Sequence, residues 1–203
     1  MKILAIGRNY AAHIEELKNE RADEPVVFLK PDTALLTGGA AFPHPAFSDD
    51  VHHEIEVVLR VSKAARDVTE ADAPDHYDAV GLGVDFTARD LQQSAKQRGW
   101  PWALAKSFDG SAPVSGFLPK ATIGDLRDLD FYLNVNGATR QRGNTSLMIF
   151  SFDFIVAYLS RYFTLQPGDL IFTGTPEGVA AVRPGDHLEG YLDDQKLLDC
   201  RVV

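Results

Sequence analysis

The chain has 203 residues, enough for one large domain or two small ones around a real core. Hydrophobic residues make up 45% and charged residues 24%, ordinary values for a soluble globular protein, and no run approaches the ~18 apolar residues of a membrane span. A formal net charge of −9 repels phosphate backbones, so nucleic acid is excluded as a general partner, and an anionic small substrate would need a local cation or metal to hold it.

The opening MKILAIGRNY has an apolar run too short for a secretion signal. Cys200, the single cysteine, permits no internal disulfide. Cytoplasmic is therefore the expected compartment. KILAI (2–6) reads as a strand, and a short helix is expected over 10–19, with Asn9 as N-cap and Tyr10, Ile14 and Leu17 as its buried stripe. His13 and Glu16 are three apart and share a helical face. That spacing suits a Glu-oriented imidazole that takes a proton from water, and equally a surface histidine on an acidic helix. So short a helix is marginal alone and is expected to be mobile. VVFL (26–29) is the next strand, and the Pro and Gly content up to about residue 50 suggests a small N-terminal subregion.

In EIEVVLRV (54–61) the residues alternate. Ile55, Val57, Leu59 and Val61 make one apolar face, while Glu54 and Glu56 share the other with His52, the two carboxylates ~7 Å apart by the strand rise. A wet edge face, a hard-metal site and a zinc-type site using His52 all fit that pattern. AVGLGVDF (79–86) is a strand ending at Asp85. A helix over 87–98 follows, for which Thr87 and Asp90 form an expected capping box, leaving Asp85 free as a third carboxylate. Lys106 lies among apolar and small residues, as a partly buried ammonium would.

Further on, FYLNVNG (131–137), DLIFTG (169–174), HLEGYL (187–192) and LLDCRVV (197–203) read as strands. Residues 151–163 read as a helix with Phe152, Ile155, Val156, Leu159 and Phe163 at 3.6 spacing. The turn GTPEG has backbone N–H groups suited to a carboxylate or an oxyanion, or it is a plain tight turn. It is neither a phosphate-binding Walker loop nor a nucleophile elbow. Strands do not alternate with helices, so the expectation is one strand-rich α+β domain spanning 1–203, of sandwich or roll type.

Seven ordered segments, GRNYAAH, FLKP, HHEIE, VDFTARDLQ, LAKSFD, MIFS and FTGTPEGV, together resemble the fumarylacetoacetate hydrolase family, most of all its short acylpyruvase and oxaloacetate decarboxylase-like branch. The resemblance covers essentially the whole chain. It implies a mixed β-sheet roll, a homodimer, and a divalent ion held by Glu54, Glu56 and Asp85. Magnesium or manganese is the implied ion, with calcium able to replace it in crystals. By the same resemblance His13, Glu16 and Lys106 are catalytic, and Arg8, Arg89, Gln92 and Thr175 contact a small 2-oxo or 2,4-dioxo acid. Lys30 falls within a family motif without an assigned role. The implied reaction is hydrolysis of a C–C bond in acylpyruvates through a metal-stabilised enolate. Oxaloacetate decarboxylation and keto–enol isomerisation of 2-oxo acids are the alternatives at the same site, and a non-catalytic metal-binding domain is the alternative outside enzymes. One departure is visible: Ala180-Ala181 stand where relatives carry Gly after the GTPxGV element, and their methyl groups would narrow that turn.

Overall fold

The computed structural model describes residues 1–17, 20 and 23–203. Its largest sheet has six strands in the order Val26–Lys30, Ile3–Gly7, Leu170–Phe172, Ile55–Val61, Tyr77–Val84, Leu118–Pro119. Ile3–Gly7 runs parallel to Leu170–Phe172 and antiparallel to Val26–Lys30, so the sheet is mixed. A second, antiparallel sheet orders Ala138–Asn144, Asp130–Val135, His187–Leu192 and Gln195–Arg201. Two smaller sheets complete the strand-rich α+β architecture.

The apolar face foreseen for Ile55, Val57, Leu59 and Val61 packs in the main core with Leu82, Phe131, Leu133 and Leu198. Gly190 marks how closely the two large sheets approach, because a Cβ there would lie 3.2 Å from Ile55 and 3.3 Å from Leu82. The opposite face of Ile55–Val61 is not wet. Val58 belongs to a second buried cluster with Ile3, Ala5, Leu170 and Phe172, and Glu56 is only 2% exposed. Central strands of a sheet covered on both sides bury both faces, which overrides the reading of alternation as one dry and one wet side.

Four α-helices are present among the described residues: α1 (Ala11–Glu16), α2 (Arg89–Arg98), α3 (Ala103–Lys106) and α4 (Phe152–Tyr162). The end of the helix expected over 10–19, residues 18 and 19, lies outside the described residues. Its N-cap is Tyr10 rather than Asn9. Asn9 is spent elsewhere: its amide donates to the carbonyls of Phe150 (3.0 Å) and Thr173 (2.8 Å), and its Oδ1 accepts from the Phe150 N–H at 2.7 Å.

The capping box is also absent. Thr87 and Ala88 pair with Val51 and His52 as strand, which delays α2 to Arg89. Thr87 Oγ1 donates to the Asp85 carbonyl, and Asp90 accepts from Ser48 Oγ at 2.7 Å. Pairing with a distant strand has outcompeted a local cap. α4 follows its pattern: Ser151 Oγ caps the Phe154 N–H, and Phe152, Ile155, Val156 and Leu159 are buried. No helix among the described residues is long and apolar enough to cross a membrane.

Candidate active site and metal centre

Two hydrogen-bonded strands bend together to build the site. Ile55–Val61 pairs with Tyr77–Val84, and Val51–His53 pairs with Thr87–Ala88. Between these segments the ribbon leaves one sheet and enters another. Glu54 and Asp85 sit at the bend, joined by the Asp85 N–H donating to the Glu54 carbonyl at 2.8 Å. Glu56 follows on the main strand. Oxygens of Glu54, Glu56 and Asp85 lie within 4.8 Å of one another, and all three residues are buried. An all-oxygen set of three carboxylates in such proximity fits a hard divalent ion of the magnesium or manganese type.

Cations surround two of the three. Lys106, at the end of α3, places Nζ 2.6 Å from Glu54 and 2.5 Å from Asp85. Arg89, the first residue of α2, donates to Glu54 at 2.5 Å and to Gln92 Oε1 at 2.7 Å. Lys30 reaches Asp85 Oδ1 at 2.8 Å and also binds the Lys106 carbonyl and Ser111. Burial drives Glu54 toward protonation, but Lys106, Arg89 and His13 outweigh it and hold the carboxyl well below its ordinary range. Glu56 goes the other way. Burial, then Asp85 and Glu54, push it well up, and the Gly174 N–H at 2.7 Å offsets only part. Burial disfavours the charge of Lys106, yet Asp85 and Glu54 prevail and raise its pKa. For Lys30 burial prevails and the pKa falls.

His13 sits over this cluster, buried, with Nδ1 3.2 Å from Glu16 Oε2. Glu16 Oε1 in turn accepts from the Gly178 N–H at 3.0 Å. Burial lowers the His13 pKa despite the opposing pull of Glu54 and Glu16, so the imidazole is neutral at pH 7. The turn GTPEG thus does hold carboxylates, and they are the protein's own: Gly174 serves Glu56 and Gly178 serves Glu16. Gly178 requires its left-handed φ of +93°, and a Cβ there would run into the Arg140 carbonyl.

One pocket is lined by Arg8, His13, Glu54, Glu56, Asp85, Arg89, Gln92, Lys106 and Thr175. Glu16 joins them through His13. The zinc-type alternative does not form, because His52 turns to Asp50 at 2.8 Å and is not in the carboxylate cluster. His53 instead binds Gln141 Oε1 at 2.8 Å.

Gln141 went unnoticed in the sequence. Its oxygen also accepts from the Ile55 N–H, and its amide donates to Thr175 Oγ1 and the Pro176 carbonyl, both at 2.9 Å. One buried amide thereby ties the strand carrying Glu56 to the GTPEG turn. Thr175 Oγ1 donates on to the Ile55 carbonyl, so its hydroxyl hydrogen is already committed. The available signal was an inward-facing Gln between Arg140 and Arg142 in a strand whose outer face is charged.

The family model described as fumarylacetoacetate (FAA) hydrolase, C-terminal, matches residues 2–203. The chain belongs to this family. Among its relatives, the Homo sapiens protein named oxaloacetate tautomerase FAHD1, mitochondrial, is 46% identical over 187 residues, which cover 92% of this chain and 85% of that protein. The Dictyostelium discoideum oxaloacetate decarboxylase, mitochondrial, is 44% identical over 185 residues, 91% of this chain and 85% of that one. The crystal structure of fumarylpyruvate hydrolase from Pseudomonas aeruginosa in complex with Mn²⁺ and pyruvate matches with a TM-score of 0.95 at 38% identity, covering 100% of this chain and 89% of that chain. At that identity and coverage the α+β fold foreseen from the motifs is the fold of this fumarylacetoacetate hydrolase-family chain.

Proposed function

We propose that this chain is a divalent-metal-dependent enzyme of 2-oxo acids that works through their enolate, hydrolysing the C3–C4 bond of acylpyruvates. The observation that carries this reading is the buried, Glu16-oriented His13 imidazole facing three converging carboxylates in one pocket. Glu54, Glu56 and Asp85 would hold magnesium or manganese, and the ion would supply Lewis-acid polarisation of the 2-oxo acid's oxygens.

The chain's own groups do the rest. Lys106, Lys30 and Arg89 formally balance Glu54, Glu56 and Asp85, so the site adds no excess negative charge against an anionic substrate. Glu16 accepts from His13 Nδ1, which fixes the tautomer and leaves Nε2 free to take a proton from the attacking water. Lys106 pairs with Glu54 and Asp85 and helps to keep Glu54 ionised. Cleavage then releases a carboxylic acid and the enolate of pyruvate, which protonates at C3.

Keto–enol tautomerisation or decarboxylation of oxaloacetate is the second reading, and the relatives of 44–46% identity favour it. Tautomerisation uses the same base to move the C3 proton, whereas decarboxylation reaches the same enolate without an attacking water. Pyruvate release from acetylpyruvate, CO₂ release from oxaloacetate and decay of the oxaloacetate enol, each with Mg²⁺, Mn²⁺ or EDTA, separate the three. The proposal is wrong if no 2-oxo acid is turned over in a metal-dependent way. The proposal extends to a homodimer, supported by the exposed apolar Trp100 and Leu104 beside the site helices and tested by light scattering.

A further inference from the structure

Lys30 is the most deeply enclosed of the three cations beside the carboxylates. Solvent does not reach its side chain, against 4% exposure for Lys106 and 13% for Arg89, and it does not line the pocket. Its Nζ lies 2.9 Å from Ser111 Oγ and 3.1 Å from the Ser111 carbonyl, and it also donates to the Lys106 carbonyl. Ser111 Oγ gives its own proton to the Lys106 carbonyl at 3.0 Å, so toward Lys30 it can only accept. Three N–H donors thus meet three neutral acceptors, which is the valence of an ammonium and not of a neutral amine with its lone pair. Asp85 Oδ1 is 2.8 Å away yet accepts no hydrogen bond among the described residues. Lys30 therefore meets Asp85 as a fixed charge, not as a donor that orients it. Lys106 differs: its Nζ donates directly to Glu54 at 2.6 Å and Asp85 at 2.5 Å, where a divalent ion would compete with it.

We propose that Lys30 sets the charge of the metal centre: its pinned ammonium weakens the hold on a divalent ion and, once the ion is bound, strengthens the hold on a doubly charged enolate. This rests on the metal-dependent 2-oxo acid reading above. An ion held by Asp85 shares that carboxylate with a positive charge that neutral acceptors keep in place, and like charges a few ångströms apart in a dry interior repel strongly. On substrate the same charge acts the other way. Glu54, Glu56 and Asp85 are offset by Lys30, Lys106 and Arg89, so a divalent ion leaves the centre with two formal positive charges. The enolate of a 2-oxo acid carries two negative charges, one on the carboxylate and one on the enolate oxygen, whereas the keto acid carries one. Without Lys30 the enolate would lose more stabilisation than the keto acid. Lys30 touches neither ligand and acts through its field and Asp85.

Lys30→Met and Lys30→Gln separate this charge from a bracing role. Neither orphans the carbonyls that Lys30 binds, because Ser111 Oγ still donates to the Lys106 carbonyl and the Phe86 N–H to the Ser111 carbonyl, each at 3.0 Å. The glutamine variant keeps N–H donors without the charge. Calorimetric titration of the metal-free proteins should show both variants binding Mn²⁺ at least ~10-fold more tightly than wild type. Titration of the Mn²⁺-loaded proteins with oxalate, a stable dianion shaped like the enolate, and with pyruvate, a monoanion, should show the oxalate-to-pyruvate affinity ratio falling about tenfold in both. Mn²⁺ affinity at or below the wild-type value, or an unchanged ratio, overturns the proposal. Wild-type behaviour in Lys30→Gln alone overturns it too, leaving Lys30 as a brace. Should the variants need Mn²⁺ to fold, the oxalate-to-pyruvate ratio decides by itself. A wild type that binds no Mn²⁺ overturns the metal reading and this one together, whereas binding by wild type with no gain in the variants overturns only this one.

Discussion

Glu56 differs from Glu54 and Asp85 in a way that experiment can use. Among the described residues no lysine or arginine pairs with it, and its carboxyl is pushed toward the neutral form by burial and by its two acidic neighbours. Glu56→Gln should therefore leave the metal-free protein as stable as wild type, since the amide oxygen can still accept from Gly174, while lowering Mn²⁺ affinity at least ~100-fold. Asp85→Asn should also lose the metal but destabilise by roughly 3–5 kcal/mol, because it takes from the buried Lys30 its carboxylate partner and from Lys106 one of two. Calorimetric Mn²⁺ titration with urea unfolding of both variants checks the contrast, and equal destabilisation would refute it. The His13 pKa, lowered by burial, sets a second test. With saturating Mn²⁺ the acid limb of acylpyruvate hydrolysis should lie below pH 6.5, since activity is lost only as the imidazole protonates. Glu16 raises that pKa, so Glu16→Gln should move the limb further toward acid. A limb above pH 6.5 would remove His13 as the base.

At the scale of elements, the site depends on joints between segments far apart in sequence. Asn9 binds Phe150 and Thr173, and Gln141 binds His53, Ile55, Thr175 and Pro176. Asn9→Ala would leave several buried backbone groups unpaired, for a loss of about 3 kcal/mol in urea unfolding. Asn9→Asp should cost a comparable amount, since a carboxylate cannot donate to the two carbonyls. If either variant unfolds like wild type, the joint has no energetic weight. These joints also mark where sequence reading stopped. α4, Tyr77–Val84 and His187–Leu192 were legible because an aliphatic period carries their burial. Ala138–Asn144 was not, because its inward positions are Gln141 and Gly143 and no apolar period exists to read. Asn9 and Thr87 looked like caps because local hydrogen bonding is all that a sequence window contains.

Across the whole molecule, the pocket stores unfavourable electrostatics that a divalent ion would relieve: three carboxylates with oxygens within 4.8 Å of one another, one of them without a cation among the described residues. Mn²⁺ at ~100 times its Kd should add about 2.7 kcal/mol, which for a chain of this size is roughly 5–10 °C in Tm. EDTA should reverse the shift, and Glu56→Gln should abolish it. Differential scanning calorimetry with and without Mn²⁺ reads all three, and a Tm indifferent to Mn²⁺ would count against a metal at this site.

The sequence by itself determined which residues could take part. Seven ordered motifs pointed to the family, and the ten residues singled out converge on one pocket or, for Glu16, on His13. Only the tertiary structure removed two of the readings of HHEIE that alternation left open, the wet face and the zinc-type site through His52. A strand pattern specifies faces but not what covers them, and here a second buried cluster covers the acidic face, so Glu54 and Glu56 are dry and need cations. Which histidine faces the carboxylates was likewise settled by packing. His52 and His53, adjacent in sequence, turn away to Asp50 and Gln141, while α1 brings His13 over the bend at Glu54 and Asp85.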